Sequence, residues 1–157
     1  MRTVLAAITL ALASSVLADD GARLAGTWNL VSVAYEDVAT RARTPVLGEH
    51  PKGTMVVTSA GRWITVVTAE GRKVPQTDEE RAAALRSMIA YAGRYRVEGD
   101  KVVTKIEVAW NEAWVGTDQT RFFRFDGDRL HIESAPQPHP NVGGKVVRVI
   151  VTWEREN

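Results

Sequence analysis

Apolar and polar residues alternate along most of this 157-residue chain, which is the pattern of half-buried β-strands. The alternation predicts strands over residues 26–37, 53–59, 62–68, 94–98, 101–110, 119–125, 129–134 and 146–155. Turn sequences such as Gly99-Asp100 and Asp126-Gly127-Asp128 join neighbouring strands and are typical of hairpins. A succession of roughly eight strands hides its edges best by closing on itself. We therefore expect an all-β fold, an antiparallel up-and-down barrel.

One segment, residues 77–91, has a helical pattern instead. Thr77 with Glu80 three positions later matches a capping box, and acidic residues fill the first turn. Gly93 is placed to end the helix. An apolar stripe follows the helical period and consists of Ala84, Leu85, Met88, Ile89 and Ala92. The pattern predicts one helix after the third strand.

The first 18 residues have the features of a secretory signal peptide. Met1-Arg2 is a short basic start, and an apolar run too short to span a bilayer follows it. We expect cleavage after Ala18, which leaves residues 19–157 as one domain. This predicts a periplasmic or secreted protein, and the lack of a second apolar run predicts no membrane insertion after cleavage.

The composition limits which binding partners and which kinds of reactive site can be expected. Without residues 1–18, 19 basic side chains face 19 acidic ones, and this balance gives no reason to expect nucleic-acid binding. The chain has no cysteine, which removes disulfides, thiol nucleophiles and thiolate metal sites. Its three histidines are far apart in sequence, and no nucleotide-binding glycine motif is present. The sequence predicts neither a metal ion nor a cofactor.

Several motifs spread over nearly the whole chain resemble those of the bacterial lipocalin-like domain family, whose members are calycin-type barrels. The matching segments are Gly26-Thr27-Trp28, residues 47–53, residues 91–95, residues 114–119, Asp126-Gly127-Asp128 and Trp153-Glu154-Arg155. The resemblance implies a barrel with a central pocket, but it implies no defined activity. It also implies structural roles for Trp28, which would plug one end, and for Arg155, which would stack over its ring.

Glu107 and Arg121 are the most informative polar residues of the predicted strands. Arg121 shares a face with Phe123 and Phe125, which is unusual for a solvated surface. An inward arginine needs a partner, since an unpaired buried charge is costly. Glu107 on the preceding strand is a candidate partner, so the two could orient a ligand carboxylate, carbonyl or hydroxyl. The alternatives are an internal salt bridge or a Glu107 that faces outward.

The remaining candidate ligand contacts are aromatic or lie in loops. Together with Glu107 and Arg121, the predicted set comprises Phe123, Tyr91, Tyr95, Trp110, Trp114 and His50. His50 could bind a ligand or act as an acid or base, or it could simply fix its loop. His131 is expected to face solvent beside Glu133, and His139 is expected to lie in a flexible loop.

Three functions remain open at this stage. A barrel of this size, rich in aromatic residues and without a catalytic motif, favours a protein that binds a small, largely hydrophobic molecule. The second is an isomerase or cyclase that uses Glu107 as proton acceptor and Arg121 to stabilise negative charge, with His50 as a further candidate. The third is a protein-interaction or inhibitor module with exposed loops around Trp110 and Trp114. The sequence leans away from an enzyme.

Overall fold

A computed structural model describes residues 21–139 and 142–156. The predicted signal peptide and its cleavage site lie outside these residues. The strands are β1 (Gly26–Asp37), β2 (Arg43–Pro45), β3 (Lys52–Val57), β4 (Arg62–Thr68), β5 (Met88–Glu98), β6 (Lys101–Ala109), β7 (Asp118–Asp126), β8 (Arg129–Glu133), β9 (Gln137–Pro138) and β10 (Val146–Arg155). A helix spans Asp78–Arg86, and a 3₁₀ turn spans Glu112–Trp114.

Eight of these strands form the predicted antiparallel barrel. Their order is β1-β3-β4-β5-β6-β7-β8-β10, and β10 pairs back with β1 to close the sheet. The closing ladder is long, since it runs from Trp28 opposite Arg155 to Asp37 opposite Val147. The two short strands extend the sheet at one end, with β2 on β1 and β9 on β10. Nearly all neighbours in the sheet are also neighbours in sequence, which is the expected meander.

The helix follows the third barrel strand, as predicted, but it is shorter than the sequence pattern indicated. Thr77 and Glu80 form the capping box, and the helix ends at Arg86 rather than near Gly93. Residues 88–91 begin β5 and pair with β4. Ile89 and Tyr91 line the barrel interior from this strand, so tertiary burial outweighs the weak helical pattern there. None of the helices in the described ranges is long and apolar enough to cross a membrane.

Two β-bulges change the faces that strict alternation predicts. In β1, Leu30 pairs with Trp153 and Ser32 pairs with Thr152, so Val31 is an extra residue. Trp28 is buried in the core before this bulge, and Val33 and Tyr35 line the interior after it, although a period of two places them on opposite faces. The bulge therefore lets both halves of one long strand contribute to the interior.

Trp28 plugs one end of the barrel. Its ring is almost fully buried, and its Nε1 donates to the Leu24 carbonyl at 3.0 Å. The Arg155 guanidinium lies 4.2 Å from the centroid of the Trp28 ring, and its Nη1 donates to the Ala25 carbonyl at 3.0 Å. Phe125 packs on the inner side of the same ring, with the two centroids 6.1 Å apart. Stacking and hydrogen bonding therefore tie the end of β10 to the residues just before β1.

Candidate functional site

A cavity of about 550 Å³ occupies the barrel between the Trp28 plug and the loops at the opposite end. Apolar side chains from strands on every side form most of its wall, including Val33, Met55, Val67, Ile132, Val151 and Trp153. Inward positions of β7 show why the space is open: Phe123 and Phe125 fill the closed end, whereas Arg121 and Gln119 border the cavity above them. The volume is in the range of small-molecule sites in proteins.

Arg121 places a cation in the wall of this cavity. Its Nη1 donates to the Thr120 carbonyl at 2.8 Å, and its Nη2 donates to Gln119 Oε1 at 3.2 Å. Burial lowers the pKa of Arg121, and interaction with Tyr91 acts in the opposite direction. The side chain stays protonated at neutral pH because an arginine pKa is far above that range. The cavity therefore contains a fixed positive charge in a largely apolar wall.

Tyr91 lies across from Arg121 and belongs to a short chain of polar groups. Trp63 Nε1 donates to Thr65 Oγ1 at 2.8 Å, and Thr65 is the direct cross-strand partner of Tyr91. Burial raises the pKa of the Tyr91 phenol, although the Arg121 charge and hydrogen bonding from Thr65 and Trp63 lower it in part. Tyr91 is thus a neutral phenol at physiological pH and keeps a proton to donate.

An aromatic wall lies beside this polar centre. The loop between β6 and β7 carries Trp110 and Trp114, whose rings pack edge to face with centroids 4.9 Å apart. Trp114 also packs against Tyr91 at 5.7 Å, and all three line the cavity. Together they present flat, polarisable surfaces to a bound molecule, which suits aromatic groups.

Tyr35 and His139 form a second polar pair at the cavity, which the alternating pattern does not indicate. His139 lies next to β9 rather than in a loose loop, and its Nε2 is 3.1 Å from the Tyr35 hydroxyl. The two rings also pack at 4.4 Å between centroids, and both border the cavity. The inward face of Tyr35 could be identified only with knowledge of the β1 bulge, because strict alternation does not group it with Trp28.

The predicted pairing of Glu107 with Arg121 is wrong. Gly93 pairs with Ile106 and Ala92 pairs with Val108, so Glu107 is the extra residue of a β-bulge. Its carboxylate lies on the outer surface, where it pairs with Arg62 and with Arg94, the latter at 3.7 Å. The interior therefore does not receive the carboxylate that the catalytic hypothesis needs, and the outward alternative is the observed one.

Three further candidates lie away from the cavity. His50 is exposed. Its backbone N–H and that of Glu49 donate to Glu70 Oε2, and these hydrogen bonds fix the loop. Tyr95 donates its hydroxyl to the Thr58 carbonyl at 3.1 Å near the closed end. Phe123 is buried in the core below Arg121. Of the eight predicted contacts, the four that line the cavity are Arg121, Tyr91, Trp110 and Trp114.

No group of three or more histidine, aspartate and glutamate side chains with metal-binding geometry occurs within residues 21–139 and 142–156. The polar groups of the cavity are instead hydrogen-bond donors and acceptors suited to an organic molecule. These groups lie beside the aromatic surface of Trp110 and Trp114.

Comparison with known proteins gives the same picture of the fold. The model of the lipocalin-like domain matches residues 25–156, which includes every strand of the barrel. The chain is also similar to a 4'-hydroxy-3'-methoxypropiophenone carrier protein of Aspergillus oryzae. The two are 33% identical over 88 residues, a stretch that covers 50% of this chain and 77% of the fungal protein. From the family match and the closed eight-stranded barrel, we conclude that the chain belongs to the lipocalin-like domain family.

Proposed function

We propose that this protein binds and carries a small aromatic molecule that bears polar oxygen atoms. The observation that carries the proposal is the cavity, in which Tyr91, Trp110 and Trp114 form an aromatic wall beside the guanidinium of Arg121. An apolar pocket with a few convergent polar groups is the usual form of a small-molecule site. The similarity to a carrier of an aromatic ketone supports the same reading.

Ligand binding can be followed through the chain's own fluorescence. Four of the five tryptophans border the cavity, namely Trp63, Trp110, Trp114 and Trp153. Titration with 4'-hydroxy-3'-methoxypropiophenone should therefore quench most of the emission and raise the thermal midpoint. A long-chain fatty acid should bind more weakly, since it cannot stack on the tryptophan rings. An absence of quenching and of thermal shift across a panel of aromatic compounds would contradict the proposal.

A matched pair of substitutions locates the site. Val151→Phe adds a ring inside the cavity, whereas Val108→Phe adds the same ring on the outer surface, where Val108 is 60% exposed. We expect Val151→Phe to weaken ligand binding at least about tenfold, because the added ring and the ligand would occupy the same part of the cavity. Val108→Phe should bind like the wild type. Equal binding by both variants would place the ligand elsewhere.

The two alternative functions have less support. The proton-transfer hypothesis required an inward Glu107, and that carboxylate is paired on the outer face. The interaction-module hypothesis required Trp110 and Trp114 as an exposed loop patch, yet both border the cavity. The carrier proposal is consistent with the observed positions of Glu107, Trp110 and Trp114.

We also propose that the protein is exported and acts in the periplasm or outside the cell. The support is the basic start and apolar run of residues 1–18. Cell fractionation of the full chain should recover a mature protein that begins at Asp19 outside the cytoplasm. Recovery of uncleaved protein in the cytoplasm would contradict this.

A further inference from the structure

The polar groups of the cavity are unbalanced in charge. Its described lining includes Arg121 and not a single aspartate or glutamate. None of the ion pairs formed by the described residues involves Arg121. The cation is therefore not neutralised by the part of the chain that the structure describes, and a partly buried charge in that condition is unfavourable.

Arg121 also has donors to spare. A guanidinium carries five N–H donors, and the contacts to Thr120 O and Gln119 Oε1 use one donor each. Both acceptors come from neighbours on the same strand, so they hold the side chain in place without neutralising it. The remaining N–H groups form the fork that matches the two oxygens of a carboxylate.

The chain from Trp63 to Tyr91 ends in a further donor. An indole N–H can only donate, so the Trp63 contact makes Thr65 Oγ1 an acceptor and leaves its own proton for the next group. Tyr91, directly opposite Thr65, can accept that proton and direct its phenol proton onward. The direction of the chain is set at Trp63, and Tyr91, whose phenol interacts with the Arg121 charge, keeps its proton as a donor.

Three side-chain acceptors around the cavity already accept a hydrogen bond from the protein. Gln119 Oε1 accepts from Arg121, Asn111 Oδ1 accepts from the Ala113 N–H, and Ser134 Oγ accepts from the Val149 N–H. The cavity lining of the described residues thus carries one arginine cation and no carboxylate, which disfavours a ligand ammonium. It suits a ligand that supplies acceptor oxygens.

We propose that the ligand is an aromatic carboxylate, held by Arg121 through its carboxylate oxygens, with the Tyr91 hydroxyl as a further donor. The aromatic part lies against Trp110 and Trp114. This inference rests on the proposed carrier function and adds the charge of the ligand to it. It makes Arg121 the residue that decides between an acid and a neutral molecule of equal shape.

The test compares 2-naphthoate with 2-naphthamide, which share ring and size but differ in charge. Binding is measured by calorimetry and tryptophan quenching at neutral pH with the wild type, Arg121→Gln and Arg129→Gln. Arg129 is exposed on β8, so its variant makes the same change in charge outside the cavity. We expect the wild type and Arg129→Gln to prefer naphthoate by about tenfold or more. Arg121→Gln should lose this preference and still bind naphthamide.

The outcomes separate this inference from the function on which it rests. If both compounds bind the wild type equally, or if Arg121→Gln keeps the preference, the carboxylate assignment is overturned and the carrier proposal stands. If neither compound binds, both proposals fail. Circular dichroism and the thermal midpoint check the fold of Arg121→Gln, and the midpoint should be no lower because an unpaired, partly buried cation is removed. Tyr91→Phe gives a second test and should reduce the preference for naphthoate without abolishing naphthamide binding.

Discussion

His131 lies on the outer face of β8, yet it is only 7% exposed, and its Nδ1 is 3.1 Å from Thr152 Oγ1. Burial lowers the pKa of this imidazole, and the charges of Arg124 and Arg43 add to the effect. Asp126 and Glu133 act in the opposite direction but do not cancel it. The protonated form of His131 is therefore less favourable in the folded protein than in the unfolded chain.

This shift predicts a loss of stability on acidification. The unfolded chain takes up the proton first, at about pH 6.5, so the free energy of unfolding should fall as the pH drops through that value. His131→Gln should remove this part of the pH dependence in urea unfolding followed from about pH 8 to about pH 5. His50→Gln removes a histidine at an exposed position and is the matched control. A profile unaltered in His131→Gln would refute the assignment.

At the scale of elements, the β5–β6 pair depends on Gly93. A Cβ atom added at this position would lie 1.9 Å from the Lys105 carbonyl oxygen, so the two strands approach too closely for any side chain. Gly93 lies at the bulge that carries Glu107. Beyond this bulge, Tyr91 pairs with Ala109. The close approach of the two strands at Gly93 and the bulge at Glu107 together place Tyr91 in the cavity wall.

Gly93→Ala should therefore be strongly destabilising, by about 2 kcal/mol or more, because backbone rather than a flexible side chain must move. Gly99→Ala is the matched control: its Cβ would meet open space, and only its positive φ of 64° adds strain. That control should cost about 1 kcal/mol. Denaturant midpoints measure both. Equal losses in the two variants would show that the close approach has no special cost.

The same elements show which features the sequence could predict. Strand number, the antiparallel meander and the capping box at Thr77 follow from local patterns, since alternation and caps are properties of a few neighbouring residues. The bulges at Val31 and Glu107 do not, because a bulge is set by the register between two strands. The bulges explain why Tyr35 was not grouped with the interior and why Glu107 was assigned to the wrong side. His139 was missed for another reason, because no local pattern indicates the short strand β9 beside it.

At the scale of the whole molecule, stability and binding are located at different ends of the barrel. Arg155 stacks on Trp28 and donates to the Ala25 and Arg23 carbonyls at the closed end. Arg121 and the tryptophans of the β6–β7 loop lie at the other end, beyond Phe123 and Phe125. Changes at the two ends should therefore act almost independently.

Arg155→Gln tests this separation. It removes a cation over an indole and two hydrogen bonds, and it should lower the free energy of unfolding by about 1–3 kcal/mol. The affinity for a cavity ligand such as 2-naphthoate should stay within about twofold of the wild type. Arg155→Lys is a partial control, because lysine keeps the charge but cannot reproduce the fork of donors. A large loss of affinity in Arg155→Gln would show that the two ends are coupled.

The Trp28 plug also has a kinetic consequence. Because Trp28 closes one end of the barrel, a ligand must enter and leave by the opposite end, past the indoles of Trp110 and Trp114. Loading and unloading then share one barrier, so a change in that loop that leaves Trp110 and Trp114 intact should alter residence time and entry rate together while the equilibrium constant changes less. The rate of ligand transfer to a partner would accordingly be limited by passage through this end of the barrel.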